Sequence, residues 1–197
     1  NKGTQALLKS EVSILREVIN DSEISVSTMD VEGVSSLGLP LERVIPGLID
    51  VPYKKADLLA KRLSYGRNTL RFKVDLLVRL FAVPFQAFIA FASSIFTRTG
   101  FRALYRAEVI EAFKNSDLVI STSDENFKEG NLKLPFNLAW TVTWWSLLFV
   151  RTCEVVIAKK IFKKKVVLLP NSVGPFRTFV GRSLAKIAFR NMDLMIV

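Results

Sequence analysis

The sequence predicts a doubly wound α/β protein built on a parallel sheet, and three observations carry that prediction. Short apolar runs recur near 24–28, 117–122, 165–170 and 193–197, each the length of a strand. Segments with helical character separate them, as parallel pairing requires a crossover between successive strands. Two of the runs open onto polar or small-residue turns, and the strand ends of such a sheet, beside the next helix N-terminus, are where ligands bind.

Taken in order, Asn1 to Ala6 reads as a loop, with Thr4 as the N-cap of a helix marked by Leu7, Leu8, Val12, Leu15, Val18 and Ile19. Ile24, Val26 and Thr28 then alternate with Ser25 and Ser27, which is a strand pattern. Turn, helix and strand make two-thirds of a βαβ unit. The expected organisation is therefore one domain over 1–197 whose first strand is missing, a fragment of a larger protein. Between Leu37 and Val51, Gly38, Pro40, Pro46 and Gly47 predict loop with short strand pieces. Ala56 to Leu63 predicts a short helix, and Ser64 to Asn68 a break. The block near 35–115 reads as a helical, partly apolar insertion or lid.

Asp117 to Ile120 opens onto Ser121, Thr122, Ser123, Asp124, Glu125 and Asn126. Val166 to Leu169 runs into the turn Pro170 to Phe176, with a helix from about Val180. Pro175 fixes its own φ and disfavours helix at Gly174, while Gly174 can adopt backbone angles that other residues avoid. That turn is expected to be a rigid shape.

Composition narrows the chemistry. Half of the 197 residues are apolar, with 15 Phe and 3 Trp, which excludes a disordered chain. The absence of histidine and the single cysteine exclude a His/Cys zinc site, an internal disulfide and a Ser-His-Asp or Cys-His nucleophile within this segment. Cys153 lies in an apolar helical run and is expected to be a buried small hydrophobe, compatible with a reducing compartment. A net charge of +10 calls for nucleic acid, an anionic membrane surface or phosphorylated substrates as partners. No zinc-finger spacing or RNP-like strand is present, so nucleic acid is not an expected partner.

The three polar loops together resemble the polysaccharide pyruvyl transferase family. The first matches an Asn-x-Gly-Asp-x-Ala pattern through Asn1, Gly3 and Ala6, with Thr4 where an acidic residue is common. The middle turn keeps Asp124 and Asn126 but has Ser121, Thr122 and Ser123 in place of glycines. The third, close to Gln-Ser-x-Gly-Pro, matches through Ser172, Gly174, Pro175 and Phe176, with Asn171 for Gln. The resemblance implies one Rossmann-like half of a GT-B-like enzyme, the N-terminal, acceptor-side half. It implies transfer of the enolpyruvyl group of phosphoenolpyruvate to two sugar hydroxyls, giving a pyruvate ketal on a cell-surface polysaccharide or its lipid-linked precursor. Phosphoenolpyruvate would be the donor substrate, with no cofactor and no metal, and its binding residues would lie in a second half.

On that resemblance Asp124 is the candidate general base, with a turn or N-cap carboxylate as the alternative. Asn1, Gly3, Thr4, Ser123, Asn126, Asn171, Ser172, Gly174 and Arg177 are the candidate substrate-binding residues. Asn1 and Asn171 are equally suited to capping turns, Gly3 and Gly174 to shaping them, and Arg177 to solvent. Glu125 and Glu129 are expected on the surface. A glycosyltransferase using a nucleotide-sugar, or a non-catalytic membrane-associated protein on the same fold, are the alternative readings.

Two uncharged stretches of 17 residues, Leu80 to Phe96 and Leu134 to Val150, stand out. Each sits at the lower limit for a bilayer span and has polar interruptions, which disfavours a span. They are expected either to pack as buried helices on the sheet, with Pro84 as a kink or helix start, or to dock on a membrane surface through aromatic and basic residues. Lys159 to Lys165 reads as a solvated helix end, or as a contributor to such docking. The expected location is cytoplasmic, peripheral at the membrane.

Overall fold

The computed structural model describes residues 2–28, 30–49, 70–121, 127, 129, 138–169 and 173–196, with the side chains of 2–4, 70–79 and 138–140 outside that description. Helix α1 (Lys2–Val18) leads to β1 (Ser25–Thr28), a short α2 (Val31–Ser35) and β2 (Arg43–Pro46). Then come α3 (Leu70–Arg98), α4 (Ala107–Asn115), β3 (Leu118–Ser121), α5 (Leu138–Val156), β4 (Lys165–Leu168), α6 (Phe179–Phe189) and β5 (Leu194–Met195). A π-helical turn, Ile157–Ile161, prolongs α5.

All four expected strands are present in shortened form, and the architecture is mixed α/β with parallel sheets. The strand pieces expected between Leu37 and Val51 resolve into β2, which pairs parallel with β1 from Ser25↔Arg43 to Thr28↔Pro46. The pairing at Pro46 needs no N–H from the proline, since the Gly47 N–H donates to the Thr28 carbonyl at 2.9 Å. The second sheet has the order β3-β4-β5, all parallel. Among the described residues the strands form two sheets, with no strand pairing between them. Because β3-β4-β5 proceeds in one direction, right-handed crossovers place α5 and α6 on the same face, where the two helices pack together.

The start of the chain differs from expectation. Helix α1 begins at Lys2, so Gly3 and Thr4 lie inside its first turn, and Thr4 is not the N-cap. Gln5, Ala6, Leu7 and Leu8 are all strong helix formers, and they carry the helix back through the expected loop. At its other end Arg16 donates to the Pro40 carbonyl at 2.9 Å and pairs with Glu42 at 3.8 Å, tying α1 to the segment entering β2.

Two apolar cores meet at α5. One gathers Ile45, Leu48 and Ile49 from β2 and beyond with Val83, Ala87 and Ala90 of α3, Val109 and Ile110 of α4, and Val150, Cys153 and Ile157. The other joins Leu148, Val155 and Ala158 to Val166 and Leu168 of β4, Ala188 of α6, and Phe127. Cys153 is buried as expected, and burial, reinforced by the Glu154 carboxylate, pushes its thiol up to about 12.

Helix α3 runs through Pro84 without starting there, and it lies on the protein by an unusual face. Its inward residues are mostly small or polar: Ala87, Ala90, Ser93, Ser94 and Thr97 are buried beside Val83, and Phe91 packs against the same core. The Ser94 and Thr97 hydroxyls donate to the carbonyls of Ala90 and Ser93 at 2.7 and 2.8 Å. Ser93 Oγ accepts from the backbone of Leu104 and Tyr105, and the Tyr105 hydroxyl donates to Gln86 Oε1 at 3.2 Å. Ser93 and Gln86 therefore fasten the chain that follows the helix, while Phe81, Phe85 and Phe88 remain 71, 65 and 71% exposed.

Candidate functional site at the strand ends

Strands β3 and β4 are in register from Leu118↔Lys165 to Ser121↔Leu168, and the Leu169 N–H donates to the Ser121 carbonyl at 3.2 Å. Their C-terminal ends stand side by side, so the segments that follow them leave the same rim of the sheet. The first segment carries Ser123, Asp124 and Asn126, and the second carries Asn171 and Ser172. These five residues, like Asn1, lie outside the described residues. Gly3 and Thr4 belong to α1, and no strand pairing draws them to this rim.

Gly174 and Arg177 are in view. Gly174 has φ 77°, the left-handed region anticipated from its sequence context, and its peptide bond to Pro175 is cis. Its N–H donates to the Phe127 carbonyl at 2.7 Å, and the Glu129 N–H donates to the Pro175 carbonyl at 3.2 Å. Phe127 and Glu129 are thereby tied to the turn. Phe127 beneath it is fully buried, and its ring meets Phe189 with centroids 5.5 Å apart. Arg177 is exposed at the mouth of the turn, immediately before the Thr178 N-cap of α6.

Glu129 overturns the expectation of a surface carboxylate. It is buried, and it accepts from Trp145 Nε1 and the Thr178 N–H, both at 2.9 Å, as well as from the Arg177 N–H and the Thr178 hydroxyl. Burial alone would raise its pKa. The Thr178 hydroxyl and N–H, the Trp145 indole and the Arg177 N–H outweigh that effect, so the carboxyl is held below its ordinary value. Thr178 Oγ1 in turn accepts from the Gly181 N–H at 2.9 Å. A Cβ at Gly181 would lie 2.1 Å from Glu129 Oε1, so glycine there lets the carboxylate approach the helix.

This arrangement fixes what each group can do. Helix N-termini attract anions, and at α6 the place is taken by the chain's own carboxylate. A phosphate or sugar hydroxyl therefore has no claim on the Arg177 and Thr178 N–H groups. Glu129 is also a poor general base, because its oxygens are occupied and its pKa is depressed. It positions the turn, and the reactive groups of a rim site would come from the segments after β3 and β4. The sequence carries no local signal for Glu129: its partners lie 16 to 49 residues away. Among the described residues no group of His, Cys, Asp and Glu is arranged to hold a metal ion.

Comparison with known proteins returns no match to a family model, to a curated protein or to a solved structure.

Proposed function

We propose that the chain is the N-terminal, acceptor-side half of a polysaccharide pyruvyl transferase with a Rossmann-like, GT-B-like fold. In this reading Asp124 takes the proton from one acceptor hydroxyl as its oxygen bonds to C2 of phosphoenolpyruvate and the double bond takes up a proton at C3; the second hydroxyl then displaces phosphate, which leaves with the remaining proton. Ser123, Asn126, Asn171, Ser172 and Gly174 shape the acceptor pocket, and Arg177 offers an exposed cation to an anionic group. The observation that supports it best is the shared rim of β3 and β4, where the loops bearing Asp124 and the Asn171 to Phe176 turn emerge from register-matched strands. A base and an acceptor-binding turn must converge on one hydroxyl, and adjacent parallel strands are a direct way to bring them together.

The test is phosphate release from phosphoenolpyruvate by the full-length enzyme, with free and lipid-linked sugars as acceptors. Acceptor-dependent release is the expected result, and Asp124→Asn should lower turnover by about a hundredfold or more without changing thermal stability. No release with any acceptor, together with binding of a nucleotide-sugar, would replace this reading with glycosyl transfer.

A further inference from the structure

Helix α3 is inside out for a helix packed on a protein in water. At 3.6 residues per turn, Leu80, Phe81, Pro84, Phe85, Phe88, Ile95 and Phe96 occupy an arc of about 160°. All of them are exposed. The opposite arc holds Val83, Ala87, Ala90, Ser93, Ser94 and Thr97, all buried, and Phe91 is the one phenylalanine of this stretch that packs against the core. A helix against a water-soluble core shows the reverse, with its large apolar side chains inward. Small and hydroxyl-bearing residues toward protein and phenylalanines away from it is the arrangement found where the outer medium is hydrocarbon.

The face continues past the helix. Leu80 and Pro84 meet Phe149, Val180 and Leu184 in an apolar cleft of about 190 Å³ between α3, α5 and α6. Phe179, at the start of α6, is itself exposed. At the C-terminal end of the stripe Phe101 and Leu104 are exposed, with exposed Arg98 and Arg102 beside them. No charged residue interrupts the stripe between Leu80 and Phe96, and the chain as a whole carries +10.

We propose that this face of α3 docks on the surface of an anionic lipid bilayer, lying in its plane with Phe81, Phe85 and Phe88 at the boundary between headgroups and acyl chains. Aromatic rings suit that boundary, and Arg98 and Arg102 are placed to meet the phosphates. The proposal does not depend on the reaction assigned above, and vesicle binding is read without substrate.

The experiment is flotation of the full-length protein with vesicles of phosphatidylcholine alone and of phosphatidylcholine mixed with phosphatidylglycerol. Binding to the mixed vesicles is expected. Replacing Phe81, Phe85 and Phe88 together by serine should weaken it by about a hundredfold or more, with the thermal midpoint preserved because the rings face outward. Arg98→Gln with Arg102→Gln should weaken it about tenfold and remove most of the preference for anionic lipid. Failure to bind, or binding indifferent to the three phenylalanines, overturns the proposal. So does unfolding of the serine variant, which would mean that the rings are covered by protein. A dimer in solution that the serine substitutions dissociate, without vesicle binding, would assign the face to a second copy of the chain.

Discussion

Helix α5 sets its large side chains into two cores, whereas α3 turns its phenylalanines outward and its serines and threonine inward. By length and composition both are apolar enough to cross a membrane, yet 67% of the apolar window in Thr141–Ile161 is buried within the protein against 33% in Leu80–Arg98. Leu148, Val150 and Ile157 are fully enclosed, while Phe81, Phe85 and Phe88 are largely free. Apolar content therefore does not decide a helix's surroundings. Both helices bury small polar residues, Thr141, Thr143, Ser146 and Thr152 in α5 and Ser93, Ser94 and Thr97 in α3, so the difference lies in where the large side chains point. In α3 the Ser93 hydroxyl and Gln86 anchor the turn that follows, while Phe81, Phe85 and Phe88 face away from the protein.

The contrast can be broken most sharply by a matched pair of truncations. Leu148→Ala should cost about 2–5 kcal/mol in denaturant unfolding, because it leaves a cavity between α5 and the second core. Phe88→Ala, on the open face of α3, should change stability by no more than about 0.5 kcal/mol. Equal losses would place both helices in the same environment.

A second group of changes probes how α5 is joined to the rim of the sheet through Trp145. Gly181→Ala should destabilise by about 1–3 kcal/mol, since the new methyl group displaces a carboxylate held by four donors. Glu129→Gln should cost a similar amount, about 1–3 kcal/mol, by weakening those bonds. Its pH dependence has a definite sign. The folded-state pKa of Glu129 lies below the ordinary value of 4.5, so its contribution is complete above that value and is lost as pH falls through the lower one. The stability gap between wild type and Glu129→Gln, followed by thermal unfolding, should narrow on acidification below 4.5 and stay constant above it. Gly174→Ala should have the smallest effect of this second group, about 1–2 kcal/mol from the left-handed backbone alone, because the nearest atoms to its Cβ position are at 3.7 Å.

The sequence made the strands legible because their apolar runs are local signals. Val166 and Leu168 are buried in the strand that the apolar run 166–169 predicts, and α6 opens after the Thr178 N-cap, close to the Val180 start that the sequence predicts. It did not reveal the division into two sheets, because pairing between four-residue strands is decided by distant partners. The role of β2 was blurred by Pro40, Pro46 and Gly47, which are turn signals even when a strand lies among them. Glu129 was unreadable for the same reason as the sheets. Nothing near it distinguishes it from Glu125, and its burial depends on Trp145, Thr178 and the space left by Gly181. At the candidate site, Gly174 and Arg177 could be located, whereas Asp124 and its neighbours rest on the strand register that leads to them. For α3 the periodicity predicts Phe81, Phe85, Phe88 and Phe91 on one face, and only the packing shows which way it looks: the first three are exposed, whereas Phe91 packs against the core.

The comparison between the two helices can be tested most directly by thiol labelling. The sequence has one cysteine, Cys153, buried and with its thiol pushed up to about 12, so it should be silent in the native protein. In a Cys153→Ser background, Phe88→Cys should react at a rate close to that of an unfolded thiol and become protected when anionic vesicles are added. Leu148→Cys should remain unreactive with or without vesicles until the protein unfolds. A thiol at position 88 that is protected in the absence of lipid, or one at 148 that reacts freely, would contradict the account.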